Sequence, residues 1–247
     1  MKLEPGKINI HNESAEEVVI DIEGIIGYSE WWQFDDQEGK ISTWDKFKHA
    51  IDAIKGISAA KVTVNIRSLG GNTNDALLIH DALKMLKANV TTVCFGYTAS
   101  AATVIAQAAT KGNRKISSNC LYLIHQCWTY AMGNIAAFEE SIGMMKKTNE
   151  LISELYASTC ESDAEKFTEL MGRNNGNGEW LTAKEALENG LVDTILQVSD
   201  TAALDTSSMQ MFHYPEIPKD KALAPVPLTF NIRVIEYSKG RRVLSVS

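Results

Sequence analysis

Apolar residues along this chain follow two patterns, short runs typical of strands and longer stretches with helical spacing. The runs predicted as strands are 18–25, 61–66, 90–95 and 121–124. The stretches predicted as helices are 43–54, 74–86, 99–109, 135–155 and 180–189. Strands that alternate with helices in this way favour an α/β fold built on a largely parallel sheet.

The prolines mark where this regular pattern ends. Four of the five lie between Pro215 and Pro227, and proline breaks helices and central strands. We therefore expect one folded domain over 1–198. A segment of linker composition, 199–227, follows it. Alternating apolar positions after it predict a late strand within a C-terminal extension, 228–247.

Composition and charge exclude several classes of protein. An apolar content of 45% suits a globular protein with a sizeable core, and a net charge of −7 argues against nucleic acid as a partner. No apolar run approaches the roughly 20 residues that span a bilayer, which argues against a membrane protein. The first residues also lack the apolar core of a signal peptide, so we expect a cytoplasmic location.

The cysteines bear on metal binding and on the compartment. Cys94, Cys120, Cys127 and Cys160 show no C-x-x-C spacing, which zinc sites commonly use. We therefore expect no metal site and no cofactor. Reduced, mostly buried thiols would again suit a cytoplasmic protein.

Ser100 and His125 are the candidate nucleophile and base. Ser100 lies between a predicted strand and a predicted helix, where helix N-termini offer unpaired N–H groups and positive potential. His125 directly follows the apolar run 121–124, whereas none of the other histidines follows a predicted strand. A serine needs such a base to take its proton before it attacks a carbonyl. Each residue also has an ordinary alternative role, Ser100 as a helix cap and His125 as a core histidine.

A glycine pair, Gly70 and Gly71, comes shortly after the predicted strand 61–66. Glycine supplies the positive φ of a tight turn. Its lack of a side chain also lets a backbone N–H approach a substrate carbonyl, as the oxyanion of an acyl-transfer reaction requires. The pair therefore fits either a turn or an oxyanion hole. The residues around Ser100 do not match G-x-S-x-G, which argues against an α/β-hydrolase elbow.

Several segments together resemble the proteolytic subunit family of the Clp protease, ClpP, within the crotonase-like fold. The segments that carry the resemblance are Ile-Arg-Ser-Leu-Gly-Gly (66–71), Gly-Tyr-Thr-Ala-Ser-Ala (96–101), 110–119, Ile-His-Gln (124–126) and Glu-Ala-Leu-Glu-Asn-Gly-Leu-Val-Asp (185–193). Ser100 and His125 are 25 residues apart, as the nucleophile and histidine of that family are. The resemblance extends over about 18–198.

The resemblance implies a spiral of β-β-α units and a serine endopeptidase that acts on protein or peptide substrates. It makes Ser100 the nucleophile, His125 the general base, and the N–H groups of Gly71 and Ala101 the oxyanion hole. It also implies a heptameric homo-oligomeric ring and an ATPase unfoldase as a partner. The long helix after Asn134 resembles the one that joins ring to ring in that family, but its apolar face would equally suit burial in its own domain.

Two segments, 31–36 and the proline-rich tail, are more similar to the head maturation proteases of bacteriophages and prophages. That branch would make capsid proteins the partners and capsid maturation the role. Leu69 and Cys127 replace prolines of the family pattern, and we expect both replacements to be tolerated.

The third member of the triad departs from the family. Family members carry an aspartate two residues before the aromatic that opens the last helix. Here that aromatic is Trp180, so the position is Gly178. We predict that Asn177, between two glycines, orients His125, and keep Glu179 as the alternative. Two other functions remain open, a catalytically degenerate scaffold of the same fold and a crotonase-type acyl-CoA enzyme.

Overall fold

A computed structural model describes residues 7–11, 16–27, 43–197, 232–236 and 242–246. The strands are β1 (Lys7–His11), β2 (Glu17–Ile26), β3 (Lys61–Gly71), β4 (Asn89–Ala99), β5 (Arg114–Ser117), β6 (Leu121–Ile124), β7 (Glu179–Thr182), β8 (Thr194–Leu196), β9 (Ile232–Glu236) and β10 (Arg242–Val246). The helices are α1 (Thr43–Lys55), α2 (Thr73–Lys84), α3 (Ala101–Ala106), α4 (Ile135–Cys160), α5 (Ala164–Gly172) and α6 (Ala183–Glu188).

Eight strands form one sheet in the order β1-β2-β3-β4-β5-β8, and β6 and β7 extend it from β4. All neighbours pair in parallel except β1 with β2 and β6 with β7. The α/β prediction with a largely parallel sheet is confirmed. The late strand is present as β9, paired with β10. The segment 31–36 and the linker 199–227 lie outside the described residues, and the predicted domain boundaries stay predictions.

The core lies where β2 and β3 run side by side and α3 packs against the sheet. Every second residue of the two strands is buried along most of their length, as the alternation of the sequence requires. All six residues of α3 are buried. Small side chains let this helix sit close to the strands, which holds the turn before it, at Ser100, in a rigid frame.

Strand β4 bends so that its two halves have different neighbours. Its first half pairs with β5 from Thr92 to Cys94, and its last residues pair with β6 from Tyr97 to Ala99. The bend falls at Gly96, whose φ is +56. It brings the ends of β4 and β6 together beside the end of β3, which is the edge that carries the candidate site.

Three predicted elements need correction. Gly70 and Gly71 belong to β3, because the pairing with β2 continues as far as Ile26 opposite Gly71. The predicted helix 99–109 is shorter, because β4 continues through Ala99. Trp180 does not open a helix but lies in β7.

The local sequence explains where β7 gives way to α6. Residues Glu179–Thr182 pair antiparallel with β6. Thr182 then caps α6, and its side chain and that of Glu185 form a reciprocal capping box. The helix therefore starts after Thr182, two residues beyond Trp180. The elements β1, β5, β8, β10 and α5 were not predicted, and each is nine residues long or shorter.

Candidate active site

Ser100 occupies the turn between β4 and α3 in a strained backbone conformation. Its φ of 55 and ψ of −132 are uncommon for a residue with a side chain. Its N–H donates to the carbonyl oxygen of Leu123 at 2.8 Å, which ties the turn to β6. Its side chain makes no capping hydrogen bond, so the ordinary role as a helix cap does not account for it. A strained strand-to-helix turn is also how hydrolases expose a nucleophilic serine.

The end of β3 passes directly over this turn. Gly70 has φ +93, and a Cβ built on it would lie 2.6 Å from the Cβ of Ser100 and 2.9 Å from the backbone nitrogen of Ala101. Both contacts are closer than real Cβ contacts allow, so this position requires glycine. Sequence reasoning treated Gly70 only as half of a pair, and its packing against Ser100 was missed.

Gly71 is fixed against β2. It has φ +146, and a Cβ on it would lie against the carbonyl oxygen of Ile26, at 2.1 Å. The next N–H, that of Asn72, donates to the same oxygen at 2.7 Å. Asn72 then caps α2, because its Oδ1 accepts from the N–H of Asp75 at 3.1 Å. The backbone on both sides of Gly71 is thus held, as a preorganised oxyanion donor needs to be.

Ser68 stabilises the end of the same strand, β3, from its buried face. It is buried, donates its hydroxyl to the carbonyl oxygen of Gly24 at 2.5 Å and accepts from the N–H of Gly70 at 3.0 Å. The register between β2 and β3 shifts on either side of Gly24. Ser68 therefore links this irregularity of β2 to the segment that lies over Ser100, a contact that the sequence did not reveal.

His125 follows β6 directly and is 9% exposed. Burial lowers its pKa to about 4, so the imidazole is neutral at pH 7 and can accept a proton. The pairing of Ala99 with Leu123 brings the ends of β4 and β6 together, with Ser100 after one and His125 near the other. The structure thus brings the candidate nucleophile and base to neighbouring strand ends, and their catalytic roles stay predictions.

The turn before β7 packs against the backbone of His125. Ile124 pairs with Glu179, so the position across from His125 is Gly178. A Cβ on Gly178 would lie 2.9 Å from the Cβ of His125 and 2.0 Å from the carbonyl oxygen of Ile124. The position where the family pattern has its aspartate therefore faces His125, and in this chain it cannot carry a side chain without movement of the backbone.

The two predicted alternatives lie on either side of Gly178. Asn177 is exposed, and its Nδ2 donates to the carbonyl oxygen of Asn174 at 3.0 Å. Glu179 accepts from Arg173 at 2.8 Å. Their roles toward His125 stay predictions. The turn is itself held to the segment after β6, because the N–H of Gln126 donates to the carbonyl oxygen of Gly176 at 3.0 Å.

A cavity of about 250 Å³ opens on the face of the sheet. It is lined by Asp21, Glu23, Asn65, Ile66, Arg67 and Phe95. Neither Ser100 nor His125 contributes to it. Within the described ranges, no three acidic, histidine or cysteine side chains are grouped so as to hold a metal ion. No helix in that part of the chain has the length and apolar character to cross a membrane.

Comparison with known proteins extends over most of this fold. A family model described as Clp protease matches residues 51–199. The ATP-dependent Clp protease proteolytic subunit of Leuconostoc citreum (strain KM20) is 32% identical over 141 residues, which are 56% of this chain and 68% of that protein. Subunit 2 of Streptomyces coelicolor (strain ATCC BAA-471 / A3(2) / M145) is 32% identical over 150 residues, 60% of this chain and 66% of that protein.

A solved structure matches as well, that of an asparagine-to-aspartate mutant of ClpP1 from Listeria monocytogenes. The TM-score is 0.57 at 26% sequence identity, and the match covers 74% of this chain and 92% of the other. The predicted ClpP-like fold is therefore confirmed.

Proposed function

Because the chain belongs to the Clp protease family, and is a ClpP-like peptidase, we propose that it is a serine endopeptidase with Ser100 as nucleophile and His125 as general base. The observation that carries the proposal is the strained turn of Ser100 at the end of β4, next to the end of β6 that leads into a buried, neutral histidine. The family assignment leaves no support for the crotonase-type acyl-CoA enzyme.

The reaction follows from the roles of these groups. His125 takes the proton of the Ser100 hydroxyl as the oxygen forms a bond to the peptide carbonyl carbon. The N–H groups of Gly71 and Ala101 stabilise the oxyanion. The imidazolium returns its proton to the amine as the C–N bond breaks and leaves an acyl-enzyme. Water then gives a proton to His125 as its oxygen attacks the acyl carbon. The imidazolium passes that proton to Oγ of Ser100 as the acyl C–O bond breaks, which releases the carboxylic acid product and restores both side chains.

Burial of His125 has opposite effects on two of these steps. The low pKa keeps the imidazole ready to accept a proton at neutral pH, but it also disfavours the imidazolium that forms during attack. A third residue would offset this cost by holding the ring and stabilising its charge. We assign that role to Asn177, with Glu179 as the alternative.

The glycine across from His125 also favours a second candidate function. Gly178 leaves the family's carboxylate position empty, which would suit a scaffold of this fold that has lost its activity. Under either function, capsid maturation as a biological role stays a prediction.

We propose that the chain acts as a homo-oligomeric, heptameric ring in the cytoplasm. Large apolar side chains are exposed on α4 and on the segment before it. They are Trp128, Tyr130, Met132, Ile135, Phe138, Ile142, Met144 and Leu151. Contact with another subunit would remove this surface from water. An ATPase unfoldase or capsid proteins would then be the partners.

The cysteines support the proposed cytoplasmic location. All four are free, in keeping with a reducing compartment.

Labelling with a fluorophosphonate tests the proposal on the full chain. We expect one probe per subunit on Ser100, read by intact mass and peptide mapping. Ser100→Ala should abolish labelling and lower peptidase activity by several orders of magnitude, since the members of a triad act as a unit. It should still fold, because the Ser100 side chain makes no capping hydrogen bond.

Ser158→Ala is the matched control, because Ser158 is an exposed residue of α4 whose hydroxyl donates within its own helix, to Leu155. It should label as the wild type does. Peptidase activity of Ser100→Ala within tenfold of the wild type would exclude Ser100 as the nucleophile. A folded oligomer that takes no probe would favour the scaffold.

A further inference from the structure

We propose that helix α4 positions both halves of the Ser100–His125 pair, through Tyr156 on the serine side and Asn149 on the histidine side. This inference rests on the proposed function, because it assigns positioning residues for that pair. Neither residue belongs to the segments that carry the family resemblance.

On the serine side, a chain of two hydrogen bonds runs from α4 to the backbone of Ser100. The hydroxyl of Thr103 donates to the carbonyl oxygen of Ser100 at 2.5 Å and lies 2.6 Å from the hydroxyl of Tyr156. Because the Thr103 proton is used toward Ser100, the Tyr156 hydroxyl is the donor in the second bond. Tyr156 thereby stabilises the strained turn at Ser100 through Thr103.

Tyr156 is itself held firmly. Its side chain is 2% exposed, Thr103 is fully buried, and the ring of Phe167 lies 5.7 Å from the Tyr156 ring. Burial also raises the pKa of Tyr156, so the hydroxyl keeps its proton throughout the neutral range. The donor that this arrangement needs is therefore always present.

On the histidine side, α4 holds the segment that follows His125. The N–H of Cys127 donates to Oδ1 of Asn149 at 2.7 Å, and the Cys127 thiol donates to the carbonyl oxygen of Met145 at 3.4 Å. The family pattern has proline at position 127, and proline has no N–H to donate. The bond to Asn149 thus depends on a residue in which this chain departs from its family.

Asn149 and Tyr156 are two turns apart on α4, so both face the same side of the helix. A continuous helix is stiff over this distance. It therefore fixes the segment after His125 relative to the turn of Ser100. Proton transfer between the two side chains depends on that relation, and a displacement of about 1 Å can lower a rate by as much as about 100-fold.

The test compares four variants of the full chain by steady-state kinetics and by hydrogen exchange of the peptides that contain Cys127 or Ser100. Asn149→Ala removes the acceptor and Tyr156→Phe removes only the hydroxyl. Asn149→Asp keeps an acceptor oxygen in place. Thr148→Ala is the control, because Thr148 is a half-buried neighbour on α4 whose hydroxyl donates within its own helix, to Met144.

We expect Asn149→Ala and Tyr156→Phe to lower kcat about tenfold with KM changed by less than about twofold, as misplacement of reacting groups does. Asn149→Asp should recover most of kcat. Exchange should rise at Cys127 in Asn149→Ala and near Ser100 in Tyr156→Phe, while α4 stays protected. Should Asn149→Ala fail to fold, Tyr156→Phe alone carries the test.

Kinetics of both variants equal to those of Thr148→Ala, with unchanged exchange, would overturn the inference. So would an Asn149→Asp variant as impaired as Asn149→Ala, because the hydrogen bond would then not be the cause. If the wild type takes no fluorophosphonate, the proposed function fails separately. The exchange measurement needs no activity and still decides whether α4 holds the two segments.

Discussion

Gly70 lies against Ser100 so closely that a Cβ on the glycine would be 2.6 Å from the Cβ of the serine. The two residues belong to neighbouring strand ends, and both have positive φ, +93 and 55. Each therefore adopts a backbone conformation that most residues avoid, and their close approach brings the backbone of β3 beside the N-terminus of α3. A side chain at position 70 would push these two elements apart.

Gly70→Ala should therefore inactivate the enzyme while leaving it folded. We expect the rate of fluorophosphonate labelling at Ser100 to fall more than about tenfold, because the added methyl displaces the nucleophile. Gly112→Ala is a matched control: Gly112 also has a positive φ, +86, but a Cβ there meets nothing within 4 Å. Both variants bear the backbone cost, about 1–2 kcal/mol. Equal labelling rates in the two would contradict the geometry at Gly70.

The activity should persist well into the acid range. Burial lowers the pKa of His125 to about 4, so the imidazole loses its ability to accept a proton only near that pH. We expect kcat/KM, which reports the free enzyme, to have its acid limb near pH 4 rather than near the usual histidine value of about 6.5. A half-maximal pH of about 6 or above would show that His125 is not the base or is not buried in the active form.

The same pKa has a consequence for stability. The folded protein binds fewer protons at His125 than the unfolded chain does between about pH 6.5 and pH 4. The stabilising contribution is therefore present above that range and is lost as the pH falls through it. Some acid loss of activity could thus be loss of fold, so the kinetic profile needs a thermal unfolding curve at each pH.

The sequence predicted the central strands, and it singled out Ser100 and His125 as candidates, for a simple reason. Strands β2, β3 and β4 are β-branched and regularly patterned, and Ser100 and His125 each follow such a run. The strands at the edge of the sheet were harder to predict from the sequence. Strand β7 has four residues, and Trp180 is compatible with a strand or a helix until its pairing with β6 is known.

Long-range contacts left no pattern in the sequence. Thr103 and Tyr156 are 53 residues apart, and nothing local in either segment indicates that their hydroxyls meet. The bond between Cys127 and Asn149 did leave one signal, the replacement of the family's proline at position 127. Such a replacement frees an N–H, and a freed N–H in a partly buried segment needs an acceptor. The identity of that acceptor depends on the fold.

Asp75 lies outside the candidate site and allows the effect of burial on a carboxyl pKa to be tested. Its side chain is buried, and its Oδ2 has no hydrogen-bond partner among the described residues. Burial raises its pKa. The folded state therefore favours the protonated form, and the stability that Asp75 contributes at low pH is lost as the pH rises through its folded pKa.

Asp75→Asn should remove the contribution of Asp75 to the pH dependence of the free energy of unfolding, because the amide never ionises. Urea denaturation at about pH 4.5 and about pH 7.5 measures this, with Asp52→Asn, an exposed acid on α1, as the control. We expect the wild type to lose stability relative to Asp75→Asn between the two pH values, and Asp52→Asn to follow the wild type. Parallel curves for all three proteins would mean that Asp75 is solvated.

The residue that orients His125 decides between a triad, a dyad and an inactive scaffold. Glu179 already pairs with Arg173 at 2.8 Å through one carboxylate oxygen, Oε2, and this ion pair competes with any role toward His125. Asn177 uses its Nδ2 within the turn, toward Asn174, and its amide oxygen is the atom that could accept from an imidazole N–H. We therefore expect Asn177→Ala to be the damaging change and Glu179→Gln to be mild.

The expected loss of kcat in Asn177→Ala is at least about tenfold, but below the roughly 10⁴-fold that removal of a triad carboxylate costs, because an amide stabilises the imidazolium less than a carboxylate does. Asn177→Asp should raise kcat for the same reason. Gly178→Asp should not, since φ is +69 there and a Cβ would lie 2.0 Å from the carbonyl oxygen of Ile124. Full activity in Asn177→Ala together with a severe defect in Glu179→Gln would reverse the assignment. Full activity in both would leave Ser100 and His125 acting as a dyad.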